Sequence, residues 1–135
     1  MNLRDLGDHY ELEAQPLTVT QIRVDYSLTL ILGTERNGVE VRLEAPFEGN
    51  FGAADYRFDP EHDPVGLAPA LAVLKKEVVG IKISKSGDLY LAFSDGWSLS
   101  APSPSGFESW TLATSEGLLL VGGPSEEVAI FRPSG

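Results

Sequence analysis

Residues 78–102, VVGIKISKSGDLYLAFSDGWSLSAP, decide the fold. Val78, Ile81 and Ile83 head one apolar run. Leu89, Leu91 and Phe93 alternate with Tyr90 and Ala92 in a second, and Trp97 and Leu99 mark a third. Successive side chains of a strand point to opposite faces, so this alternation builds a sheet with one buried face. Ser86-Gly87-Asp88 and Asp95-Gly96 separate the runs. Asp-Gly is a strong hairpin signal, because glycine reaches positive φ without a side-chain clash. The stretch spells a three-stranded antiparallel meander, with Trp97 and Leu99 set against the Leu89, Leu91 and Phe93 face.

The same pattern occurs earlier. Residues 19–46, VTQIRVDYSLTLILGTERNGVEVRLEAP, place Val19, Ile22 and Val24 where the later stretch has Val78, Ile81 and Ile83. Leu28, Leu30 and Leu32 match Leu89, Leu91 and Phe93, and Gly38, Val39 and Val41 match Gly96, Trp97 and Leu99. Both copies close on Ala-Pro, at Ala45-Pro46 and Ala101-Pro102. Strands are expected near Thr18–Asp25, Leu28–Leu32 and Val39–Leu43. The parity slip between Val19 and Ile22 fits a β-bulge, and Asn37-Gly38 predicts a tight turn.

Working outward, residues 65–76, VGLAPALAVLKK, are the one convincing helix. Leu67, Leu71 and Leu74 share an α-helical face. Pro69 suits a first turn, and Lys75 and Lys76 suit the negative end of the helix dipole. Residues 47–58, FEGNFGAADYRF, allow a short further strand through Tyr56 and Phe58. Residues 1–16 read either as a short helical stripe through Leu3, Leu6, Tyr10 and Leu12 or as a loose arm. Ser100–Gly106 reads as a flexible loop. Further strands are expected at Glu108–Ala113, Leu118–Val121 and Val128–Phe131, punctuated by Gly117 and Gly122-Gly123-Pro124. The expected architecture is a single domain over 1–135, mainly β (α+β). Two related antiparallel β-meanders, in halves of about 17–59 and 77–132, form a sandwich or curved sheet joined by one short helix. A chain of 135 residues can bury about two-thirds of its unfolded surface and needs no staples.

Composition narrows the chemistry. There is no cysteine, so disulfides, thiol nucleophiles and cysteine zinc sites are excluded. The first fifteen residues lack an apolar stretch of signal-peptide length, and a reducing cytoplasm is the expected compartment. Twenty Asp and Glu against ten Lys and Arg leave a net charge of −10. Such a surface repels phosphate backbones and anionic membranes and attracts cationic partners, besides keeping the chain soluble.

No catalytic set emerges. Only His9 and His62 are available as imidazoles, one in a terminal segment and one in a turn. There is no G-x-S-x-G elbow, no carboxylate spacing that singles out a dyad, and no lysine or helix after Gly122-Gly123-Pro124 to complete a phosphate loop. Asp59, Glu61, His62 and Asp63 form an acidic knot, but Pro60 and Pro64 stiffen it and no glycine supplies a calcium-loop turn. No metal ligand or cofactor-binding residue is assigned. Tyr56, Trp97, Trp110 and Phe131 sit at strand parity and are expected in the core rather than as interface anchors. The best candidates for a contact surface are Glu48, Asp55, Asp59, Glu61 and Asp63, acidic turn residues within one connecting region.

The second half carries further motifs: G-x-L-x-L-x-F-x-D-G from Gly87 to Gly96, F-E-x-W-x-L from Phe107 to Leu112, and a Gly-Pro turn leading to Val128–Phe131. In these it resembles a small uncharacterised bacterial family of β-rich proteins that look like neighbours of the immunity proteins of polymorphic toxin systems. The resemblance covers residues 78–131 best. It implies a β-rich, non-catalytic fold and toxin neutralisation, and brings no catalytic residues.

The expected function is a non-catalytic cytoplasmic binding protein, an immunity-type inhibitor of a cationic protein whose acidic turns steer onto a basic site. Two alternatives remain open. One is a small-ligand binder or minor enzyme with a pocket between the two halves. The other is a self-associating module, a homodimer pairing through an edge strand. Nucleic acid and membrane are not expected partners.

Overall fold

In the first meander, β3 (Leu17–Val24), β4 (Leu28–Gly33) and β5 (Gly38–Leu43) pair antiparallel in sequence order, as they do in the computed structural model, which describes residues 1–103, 108–124 and 127–133. In the second, β8 (Glu77–Ser84), β9 (Leu89–Phe93) and β10 (Ser98–Ala101) do the same. The registers correspond. Val19 faces Leu32 as Val78 faces Phe93, Ile22 faces Leu30 as Ile81 faces Leu91, and Val24 faces Leu28 as Ile83 faces Leu89. Each first strand breaks register at the same point, between Val19 and Gln21 and between Val78 and Gly80. An extra residue on one strand produces such a shift and bends that strand.

Each meander is widened by a hairpin from the other half. β6 (Phe47–Phe51) and β7 (Ala54–Phe58) follow the first meander in sequence but join the second, Gly49 lying opposite Leu99. β11 (Trp110–Thr114) and β12 (Leu119–Gly122) follow the second but join the first, Leu112 lying opposite Val41. β13 (Val128–Phe131) extends β12, while β1 (Asn2–Asp5) and β2 (His9–Glu13) form a hairpin whose β2 lies along β8. Among the described residues, thirteen strands make one antiparallel sheet that is not closed into a barrel: eleven run in the order β13-β12-β11-β5-β4-β3-β8-β9-β10-β6-β7, and the β1–β2 hairpin branches off at β8. β3 and β8 meet only through Leu17–Val78 and Thr18–Glu77. The sheet folds there, and inward residues of both halves fill one core, including Leu30, Val41 and Trp110 from one half and Ile83, Leu91 and Phe58 from the other. Each such side chain contributes about 1.5–3 kcal/mol by leaving water.

Four expectations need correction. Residues 1–16 are neither helix nor loose arm. They form the β1–β2 hairpin, which the β8 edge templates and which packs Leu12 into the core. Residues 47–58 hold two strands, because Gly52 takes a left-handed φ of 75° and turns the chain. The Asn37-Gly38 turn is longer than the tight one expected. The left-handed residue is Gly33, and Thr34–Asn37 close through the Thr34 N–H to the Asn37 carbonyl at 3.2 Å. The helix is a 3₁₀ helix over Val65–Val73, with Pro69 inside it. Three residues per turn align Leu67, Ala70 and Val73 inward, leaving Leu71 and Leu74 exposed rather than sharing the Leu67 face. Of the expected Ser100–Gly106 loop, Ser100 and Ala101 instead end β10, opposite Tyr90 and Leu89, while residues 104–106 lie outside the described residues, as does Phe107 of the F-E-x-W-x-L motif.

The aromatic residues divide. Trp110 is fully buried. Trp97 is half-buried, stacked on Phe51 at 4.4 Å with the Lys76 ammonium 4.0 Å over its ring. Tyr56 and Phe131 are exposed, contrary to the expectation of core, because β7 and β13 lie at the two ends of the sheet order.

Candidate functional site

The end of β5 and the start of β11 meet where Glu44 and Ala45 donate their N–H groups to the Ser109 carbonyl at 2.9 and 3.2 Å. That join sets Glu108 beside Glu44. The turn between β3 and β4 brings Tyr26 to the same place, and the loop after β7 brings Asp59, Glu61 and His62. Together they line an open groove of about 490 Å³.

Four carboxylates face this groove against one guanidinium, that of Arg42. Arg42 is already engaged: its Nε donates to Glu44 Oε1 at 2.9 Å, and its Nη1 lies 3.6 Å from Asp25 Oδ2. These partners, Glu44 first, hold its pKa above the ordinary value. Asp25 is held below its ordinary value, chiefly by the Ser27 hydroxyl and N–H and then by Arg42. His62 Nδ1 lies 3.1 Å from Asp59 Oδ2. Among the described residues, neither Glu61 nor Glu108 has an ion-pair partner. Tyr26 stands 80% exposed at the rim. Unpaired carboxylates beside an exposed phenol ring suit a cationic side chain, which the carboxylates attract and the ring face accepts.

The five acidic residues singled out from the sequence do not share one surface. Asp59 and Glu61 line this groove. Glu48 and Asp55 lie on the outer face of β6 and β7, where Glu48 sits opposite Arg57 and Asp55 accepts a 2.7 Å hydrogen bond from the Asn50 amide. Asp63 accepts the Gly66 N–H at 3.1 Å and so serves the start of the 3₁₀ helix. Tyr26, Glu44 and Glu108 were missed. An Asp-Tyr-Ser turn between two strands does signal an exposed ring at Tyr26. Nothing local signals Glu44 and Glu108, which only the β5–β11 pairing unites. Among the described residues, no three His, Asp or Glu side chains lie close enough to hold a metal ion, and no helix is long and apolar enough to cross a membrane.

Residues 10–132 match the model of a family of unknown function, DUF6188. The chain belongs to this family. The match to DUF6188 takes in both meanders, both exchanged hairpins and every groove residue. No curated protein and no solved structure matches the chain.

Proposed function

We propose that this protein is a non-catalytic binding protein that takes a basic protein partner through the groove lined by Tyr26, Glu44, Asp59, Glu61 and Glu108, as an immunity-type inhibitor of the cytoplasm would. The observation that carries the reading is the gathering of four carboxylates from three separate chain segments around one exposed tyrosine. The net charge of −10 supports it, because a field of that sign speeds encounter with a cationic surface. A basic side chain entering the groove would meet Glu61 and Glu108 while Tyr26 packs on its stem, and the bound protein would lose access to whatever its own basic site serves.

The test is capture from native lysate with three baits: the intact chain, Glu61→Gln/Glu108→Gln, and Glu48→Gln/Asp55→Asn. The two variants remove equal charge. A partner lost with the first variant, retained with the second and released by raised salt supports the groove. A partner indifferent to salt, or lost equally with both variants, rejects it.

A further inference from the structure

The 3₁₀ helix Val65–Val73 is apolar on every side but buried on one. From Val65 to Leu74 the sequence reads VGLAPALAVL, without a charged or hydrogen-bonding side chain. Side chains three apart eclipse in a 3₁₀ helix, so Leu67, Ala70 and Val73 form the buried line. Val65, Ala68, Leu71 and Leu74 form a second line, and all four are exposed, Val65 at 85%. A helix apolar all round is ordinarily covered all round, and a continuous exposed apolar ridge marks a contact surface. The two ends of the ridge carry opposite charge. Glu61 and Asp63 precede it, and Lys75 and Lys76 follow it. Lys76 is taken by Asp95 and by the face of Trp97. Lys75 has no ion-pair partner among the described residues, where it is also the sole non-glycine with a left-handed φ, 73°. Glycine takes that φ at no steric cost and lysine does not, so the backbone is strained at the point where the ridge ends in a free ammonium group.

We infer that this ridge packs against the same ridge of a second copy of the chain, the two helices antiparallel across a two-fold axis. The charged ends choose the occupant. A partner of one sign would be repelled at one end of the ridge, and an anionic lipid surface is repelled by a chain of net charge −10. A reversed copy brings each Lys75 to the other's acidic end, whereas parallel copies would set like charges together at both ends. Size chooses the register. With the axis between Ala68 and Leu71, Val65 faces Leu74 and Ala68 faces Leu71, so all four ridge residues are paired and small stands against large. Centring on Ala68 would leave Leu74 facing His62, and centring on Leu71 would leave Val65 facing Glu77. In the chosen register Lys75 comes opposite Pro64, beside Asp63. Asp63 accepts the Gly66 N–H through Oδ1 at 3.1 Å, and its Oδ2 can accept a second donor. The apolar contact supplies the affinity, and the water-exposed ion pairs supply the direction. The dimer does not depend on what the acidic groove binds.

Sedimentation of the full chain from about 1 μM to about 1 mM tests this. One helix ridge is at the small end of specific interfaces, so a Kd on the order of 100 μM is expected. It is read as a reversible step from 14.6 kDa toward twice that mass. Leu71→Asp should abolish the step, and Lys75→Glu should weaken it about tenfold. The chain has no cysteine, so added thiols report the geometry. Under oxidation, Val65→Cys mixed with Leu74→Cys should cross-link between the two variants. Neither should cross-link with itself, because a disulfide needs Cα atoms within about 7 Å. A monomer at every concentration, as a ridge covered by a different protein or by lipid would give, overturns the inference. So does self-cross-linking of either variant in place of the mixture, or a dimer indifferent to both Leu71→Asp and Lys75→Glu.

Discussion

The Trp110 indole N–H donates a 2.8 Å hydrogen bond to the Gly87 carbonyl, tying β11 of one half to the β8–β9 turn of the other. Trp110 is fully buried, and a side chain added at Gly122, opposite it on β12, would land on the indole ring. One residue thus fills the junction of the halves and satisfies a buried carbonyl.

Trp110→Phe keeps most of the apolar bulk and leaves the Gly87 carbonyl without its donor. An unsatisfied buried group costs about 1–3 kcal/mol, which a urea midpoint measures. Gly122→Ala should cost at least as much, because overpacking forces the indole off its site. Unfolding midpoints equal to that of the unaltered chain for both variants would remove Trp110 from this role.

The 3₁₀ helix makes a second prediction. Leu67 is 1% exposed and Leu71 45%. Leu67→Ala should cost about 2–5 kcal/mol, and Leu71→Ala should fall within about 0.5 kcal/mol of the unaltered protein. Equal losses at the two positions would mean an α-helical face rather than the three-residue repeat.

Acid stability follows from Asp95. The Lys76 ammonium, and then the Trp97 N–H, hold its carboxyl below the ordinary 3.8. A group depressed in the folded state lends its stability above the unfolded value and loses it as pH falls through the folded one. The melting temperature should therefore be level near neutrality and drop as pH passes below 3.8. Asp95→Asn should lower melting most at neutral pH, with the gap closing in acid. A gap that is constant with pH would show that the carboxylate's charge contributes nothing.

Most of the sheet was legible in the chain. The runs of Leu28–Leu32 and Leu89–Phe93 alternate with period two, and Asp95-Gly96 has the chemistry of its turn, with Gly96 at a φ of 90°. Even the bulge was readable, as the parity slip after Val19. The helix departs from expectation because apolar residues at Leu67, Ala70, Leu71, Val73 and Leu74 suit both a 3.6-residue and a three-residue repeat, and Pro69, which removes a backbone donor, sits inside the helix rather than in its first turn. The N-terminal hairpin was misread because β1 and β2 are held by β8, some seventy residues away, and not by their own periodicity.

By itself, then, the sequence determined two related meanders, their turns and an excess of negative charge, since strand period, glycine conformation and net charge are local or summed properties. Only the tertiary structure decided that each meander borrows its outer hairpin from the other half, and that Glu44 and Glu108 share a groove with Tyr26. Those outcomes depend on which strand edges find each other. Backbone hydrogen bonding is the same for every residue, so the pairing partner is chosen by the burial that the whole assembly achieves rather than by any one segment.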